Sequence, residues 1–213
     1  MITGIIDYGA GNLRSVHKAV ETLGFEARRI TGPAEVAEVD ALILPGVGAF
    51  GDCLRHLGEQ GLVESLRAWI LEDRPYFGIC LGYQILFASS EESPATPGLS
   101  VFPGEVVRFP AGDWKVPHMG WNEIQFTDAT DPLWTGLPAR PHVYFVHSYY
   151  PRPADGSIIA STCDYGLQFA SSIRKGNIVA TQFHPEKSQK LGLAILRNFL
   201  EQQRRASAAL PRA

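Results

Sequence analysis

Tyr76-Phe77-Gly78-Ile79-Cys80-Leu81-Gly82-Tyr83-Gln84-Ile85-Leu86-Phe87 is an apolar strand-like run that passes without a linker into a stretch of helical spacing. Such a junction leaves room only for a sharp strand-to-helix turn. Glycines on either side of the turning residue, as in Gly78-x-Cys80-x-Gly82, supply the backbone freedom that a nucleophile elbow needs. The elbow would hold the Cys80 thiol out at the carboxyl edge of a sheet and at a helix N-terminus. Peptide dipoles there favour the thiolate, and the free N–H of Leu81 can donate to an oxyanion. Taken alone, the same pattern also suits a buried structural cysteine.

Upstream, residues 2–7 form an apolar run that ends in Tyr8-Gly9-Ala10-Gly11-Asn12. Leu13, Val16, Val20 and Leu23 then recur at helical spacing up to Gly24, predicting strand, loop and helix. Residues 25–30 predict a second strand, and residues 40–44 a buried one running into Pro45-Gly46-Val47-Gly48. Leu62, Val63, Leu66, Trp69 and Ile70 mark another helix, closed by Asp73-Arg74-Pro75. This alternation predicts an α/β fold with a doubly wound, mostly parallel sheet.

Beyond Ser89 the texture changes to Pro- and Gly-punctuated β segments at residues 105–109, 122–126, 143–149, 158–162, 167–174 and 178–183. They predict extra antiparallel β structure in the C-terminal half. Leu191, Ile195 and Phe199 lie on one stripe of a final helix. Residues 1–203 therefore read as one domain, and 204–213 as a frayed tail with too little apolar content to pack.

At the far end of the β-rich half, Gln182-Phe183-His184-Pro185-Glu186 follows a strand. Positions two apart on an extended segment point the same way, so His184 and Glu186 can share one side. His184 could accept the thiol proton and return it to a leaving amine while Glu186 fixes its tautomer. A solvated turn histidine beside an exposed glutamate fits that segment equally well on its own. Pro45-Gly46-Val47-Gly48 could aim a backbone N–H at the thiol from a neighbouring strand end, or be merely a tight turn. Open α/β sheets take ligands at their carboxyl edges, where all these loops would meet.

Composition narrows the classes of partner. The 213-residue chain is 45% apolar, carries a net charge of -3 and has no Lys/Arg run, which argues against nucleic-acid and membrane-surface binding. Cys53, Cys80 and Cys163 form neither a disulfide framework nor a metal-ligand spacing, so a reducing, cytoplasmic setting is expected. The first residues lack a basic leader, and no stretch is apolar and long enough to span a bilayer.

Gly78-Ile79-Cys80-Leu81-Gly82-Tyr83-Gln84 together with Phe183-His184-Pro185-Glu186 resembles the class I glutamine amidotransferases, whose glutaminases use a Cys-His-Glu triad and share a flavodoxin-like fold. Four further stretches narrow the resemblance to the glutaminase subunits of imidazole glycerol phosphate synthases. They are residues 7–16, residues 45–50, Pro117-His118-Met119-Gly120-Trp121-Asn122, and Tyr144-Phe145-Val146-His147-Ser148-Tyr149-Tyr150.

The resemblance implies catalytic Cys80, His184 and Glu186, with an oxyanion held by the N–H groups of Leu81 and Val47. It implies glutamine contacts at Gly46, Gly48, Leu81 and Gln84, and at Ser148 and Tyr149 mainly through their backbone. It also implies a partner surface of His118, Met119, Trp121, Asn122, Tyr144 and Lys187. That partner would be a (β/α)8-barrel cyclase on a separate chain, since no cyclase sequence follows. Ammonia would pass to it for reaction with a phosphoribulosyl aminoimidazole carboxamide nucleotide in histidine biosynthesis. No metal or cofactor is needed. A glutaminase serving another synthase predicts the same triad, and a stand-alone cysteine hydrolase is the rival from a different class. Of the other histidines, His17, His56, His142 and His147 stand at no spacing that couples them to the thiol.

Overall fold

Apolar runs punctuated by Gly and Pro become strands here, and the helically spaced stripes become helices that cover both faces of the sheet. In the computed structural model, which describes residues 1–209, the chain begins β1 (Ile2–Ile6), α1 (Leu13–Thr22), β2 (Glu26–Ile30), α2 (Pro33–Val36), β3 (Ala41–Gly46) and α3 (Phe50–Glu59). It continues through α4 (Leu62–Leu71), β4 (Tyr76–Cys80) and the single turn α5 (Leu81–Gln84). Then follow β5 (Ser89–Ser90), β6 (Gly104–Arg108), β7 (His118–Phe126), β8 (His142–His147) and β9 (Tyr149–Pro153). Last come β10 (Ile159–Asp164), β11 (Gln168–Lys175), β12 (Ile178–Thr181) and α6 (Gln189–Ala209).

The large sheet has nine strands in the order β2-β1-β3-β4-β12-β11-β10-β7-β8. Its first half, β2 through β12, is parallel, and from β11 outward each pairing is antiparallel. Every residue of β3 and β4 is buried, as a central strand covered on both faces requires. On one side Val16, Val20, Ile195 and Phe199 of α1 and α6 pack against Phe77 and Ile79. On the other, Phe50, Leu57, Leu66 and Trp69 of α3 and α4 pack against Leu42 and Leu44. The Phe77 and Phe199 rings meet edge to face at 5.2 Å, an arrangement that contributes about 1 kcal/mol beyond burial. No helix among the described residues is long and apolar enough to cross a membrane.

Three expectations change. The helix after Cys80 stops at Gln84 and does not reach Phe87, because the chain turns at Ile85 to pair with the segment around Leu99. The segment 143–149 is two strands in different sheets: β8 is an edge of the large sheet, and β9 joins β5 and β6 in a small three-stranded one. The break at Ser148 lets one chain serve both. Finally, α6 runs on to Ala209, past the point where the tail was expected to fray. Arg204 lays its guanidinium 5.6 Å from the Phe25 ring, packing that a count of apolar residues does not foresee. Residues 210–213 of the expected tail lie outside the described residues.

Candidate active site

Strand register builds the site. Gly46 of β3 lies directly opposite Cys80 of β4, and Thr181 of β12 lies opposite Ile79. The loops that leave β3 and β12 therefore flank the elbow on either side, at the carboxyl ends of three adjacent parallel strands.

Cys80 itself takes the strained conformation, with φ 54° and ψ -99°. An L-residue there costs about 1–3 kcal/mol, which the surrounding packing must hold. The elbow glycines serve a different purpose from the one expected, since neither Gly78 nor Gly82 has a positive φ. A Cβ on Gly82 would strike the Leu44 carbonyl oxygen, and one on Gly46 would strike the Leu81 side chain. They are close-approach glycines that let β3 and the turn touch. With α5 only one turn long, the expected helix dipole shrinks to the local N–H groups of that turn.

His184 is anchored from β8, an edge strand of the large sheet. Its N–H donates to the Tyr144 carbonyl at 2.9 Å, and Ser188 Oγ donates to the His184 carbonyl at 2.7 Å while accepting from the Tyr144 N–H at 2.9 Å. With the ring so held, Nδ1 lies 2.9 Å from Glu186 Oε1 and donates to it. That bond fixes the tautomer that leaves Nε2 to exchange a proton with the thiol. Both side chains are buried, and Nε2 has no hydrogen-bond partner among the described residues.

Burial opposes a charge on His184. The Cys80 sulfur and the Glu186 carboxylate outweigh it and hold the imidazole pKa up to about 10. The imidazole is thus arranged to hold its proton between the Glu186 carboxylate and the sulfur. Because the folded value is raised above about 6.5, the stabilisation is fully present below that pH and is lost as pH rises through about 10. Urea unfolding of the native chain should weaken over that window by more than unfolding of a His184→Asn variant. Parallel curves for the two would contradict the raised imidazole pKa.

A cavity of about 380 Å³ opens beside the sulfur, lined by Cys80, Gln84, Tyr149, His184, Val47 and Gly48 among others. Its size suits a small ligand. Of the expected substrate contacts, Leu81 and Ser148 also face it, whereas Gly46 lies beneath, against Leu81 and 3.0 Å from the Tyr8 hydroxyl for an added Cβ. The Ser148 carbonyl already accepts from the Phe109 N–H at 3.1 Å. Val47 is 39% exposed, and its N–H lies near the Tyr8 hydroxyl at less than full hydrogen-bond geometry. A larger groove of about 780 Å³, lined by Asp7, Arg14 and Arg29 among others, contains none of Cys80, His184 and Glu186.

The expected partner residues divide. Met119 and Trp121 on β7 are 62% and 47% exposed, and Trp121 stands 6.1 Å from the Tyr144 ring, over which Lys187 Nζ sits at 5.9 Å. His118 is the correction. It is 2% exposed and stacks between Tyr165 and Phe145, so its side chain cannot press on a partner. Strand alternation explains this, since His118 projects to the face opposite Met119. Asn122 turns inward, donating to the Asp164 carbonyl at 2.9 Å.

Two residues at the site escaped the sequence reading. His147 lines the cavity, although its bonding partner His118 is 29 positions away and no local spacing couples them. Gln182 places Nε2 3.5 Å from the Cys80 sulfur. Its position two residues before His184, on the same alternating side, was the signal available.

The sequence matches the family described as glutamine amidotransferase class-I over residues 4–203. It is 52% identical over 202 residues to the imidazole glycerol phosphate synthase subunit HisH of Syntrophotalea carbinolica, covering 92% of this chain and 97% of that one. It is 48% identical over 205 residues to the subunit of the same name from Moorella thermoacetica, covering 96% and 97%. In structure it is similar to a crystal structure of a glutamine amidotransferase at a TM-score of 0.75 and 22% identity, covering 95% of this chain and 99% of that one.

Proposed function

From the premise that the chain belongs to the class I glutamine amidotransferases, and within them to the HisH subunits of imidazole glycerol phosphate synthase, we propose that Cys80, His184 and Glu186 are its catalytic triad. It is a glutaminase, the ammonia-producing subunit of a synthase in histidine biosynthesis. We further propose that residues 1–203 act as one amidotransferase domain and that the acceptor of the ammonia is a separate (β/α)8-barrel cyclase in the cytoplasm.

The thiolate of Cys80 attacks the side-chain amide carbon of glutamine. The oxyanion is met by the N–H groups of Leu81 and Val47, and His184 gives its Nε2 proton to the departing ammonia. Water, deprotonated by the same nitrogen, then cleaves the glutamyl thioester and frees glutamate. Glu186 holds the imidazole in register throughout. The observation that carries this reading is the buried His184–Glu186 bond of 2.9 Å at the wall of the cavity that Cys80 also lines.

Gly46 keeps the loop close to the elbow and Gly48 supplies the positive φ at which the loop turns, with Gln84, Ser148 and Tyr149 around the amino-acid part of glutamine. The exposed Met119 and Trp121, with Tyr144 and Lys187 beside the cavity, supply the apolar and aromatic character of a docking surface. Val47, exposed and with its N–H toward Tyr8, is the residue whose turning would complete the oxyanion site when the cyclase binds its nucleotide.

Ammonia release should be near background for the purified chain and should rise steeply once both the barrel cyclase and its nucleotide are added. Vigorous turnover by the chain alone would remove the proposed coupling. Recovery of another synthase as its stable partner would redirect the ammonia.

A further inference from the structure

We propose that Gln182 is a positioning residue for the nucleophile: its carboxamide donates a hydrogen bond to Cys80 Sγ and favours the thiolate, and Gln84 fixes the orientation that makes it a donor. The inference rests on the reading of Cys80 as nucleophile.

The orientation follows from an acceptor that cannot change role, the backbone carbonyl of Tyr149. Gln84 presents one terminal atom to that oxygen at 3.0 Å, so the atom is its NH2 nitrogen. The same nitrogen lies 3.2 Å from a terminal atom of Gln182, which must then be the oxygen. The remaining terminal atom of Gln182, 3.5 Å from the sulfur, is therefore nitrogen. Both glutamines are buried, so water does not offer an alternative set of partners.

A second line of bonds anchors the same carbonyl. His147 Nδ1 donates to it at 2.9 Å, His118 Nδ1 donates to His147 Nε2 at 3.1 Å, and Asn122 Nδ2 donates to His118 Nε2 at 3.3 Å. Burial keeps both imidazoles neutral, holding His118 down to about 4 and His147 down to about 3. One neutral tautomer of each satisfies every bond. The Tyr149 carbonyl thus holds two fixed donors, and Gln84 has no competing demand that would let it flip.

A thiolate is a strong acceptor and a thiol a weak one, so a fixed N–H beside the sulfur stabilises the charged form selectively. His184 provides a second donor from another direction once protonated. The other titratable groups around the sulfur are Glu186 behind His184, His147 from β8, Tyr8 after β1 and Cys53 on α3, with Glu92 and Lys187 on the cavity rim. None of them supplies the bond that Gln182 makes.

The test is the pH dependence of Cys80 alkylation by iodoacetamide in the full chain. Burial pushes the Cys53 and Cys163 thiols up to about 12, so the reagent reads Cys80 near neutral pH. Gln182→Met removes the donor and should move the alkylation midpoint up by about one pH unit, slowing the neutral-pH reaction about tenfold. Gln182→Glu keeps the shape but turns an acceptor toward the sulfur, and should move it further. It also serves if the Met variant does not fold. A residue that merely packs would leave the midpoint where it is, and an unmoved midpoint in Gln182→Glu overturns the proposal. If that happens while Cys80→Ser is inactive, only the role of Gln182 falls. If Cys80→Ser still hydrolyses glutamine, the nucleophile reading falls with it.

Discussion

Replacing Cys80 by Ser should lower glutamine hydrolysis in the stimulated complex by about four orders of magnitude or more while leaving the fold and the docking surface intact. A hydroxyl is far less acidic than a thiol. The pairing that raises the His184 pKa to about 10 depends on a sulfur that can carry charge beside it. With oxygen in that place, the imidazole loses its main counter-charge and the attacking atom stays protonated at neutral pH. The substitution exchanges one sulfur for a smaller oxygen, and the exposed Met119 and Trp121 lie on β7, which does not pair with β4. The decisive measurement is glutamate production alongside partner binding by titration calorimetry. Turnover within about tenfold of the native chain would take the sulfur out of the chemistry.

The second large effect is on folding. Gly82→Ala adds a methyl group that runs into the Leu44 carbonyl oxygen, a contact of Cβ with backbone that no side-chain rotation can relieve. Either the turn must unwind or β3 must separate from β4, and both β3 and β4 are buried along their whole length. A destabilisation of about 3 kcal/mol follows, seen as a fall in thermal midpoint of roughly 6–12 °C for a domain of this size. Gly58→Ala is the matched control. Its added methyl meets nothing within 4 Å on α3, so stability should stay level or rise by up to about 1 kcal/mol. Equal losses in both variants would mean that the Gly82 contact is not what constrains the elbow.

Much of the candidate site was legible because its signals are local. The elbow declares itself in consecutive residues, and His184 and Glu186 stand two apart on extended chain, where alternation alone puts them on one side. The helix α3 is legible too, with Phe50, Cys53, Leu54 and Leu57 at helical spacing behind the glycine-rich loop that precedes it. The length of α5 and the break between β8 and β9 were not legible. Both depend on which distant strand claims the backbone: Leu99 pairs back onto Ile85, and the chain after Ser148 is drawn off to β6.

The amino-acid sequence by itself determined the alternation of strands and helices, the sharp turn at Cys80, and the residue types gathered in the candidate site. Each of these is written in spacings of a few positions, through periodicity, steric limits at a sharp corner and the chemistry of the side chains. Only the tertiary structure decided what surrounds the sulfur. Gln182 reaches it across 102 positions and Gln84 reaches Gln182 across 98, because β3, β4 and β12 lie side by side in one register. Strand order is set by the burial of whole faces against helices, a collective quantity that no short stretch of chain contains.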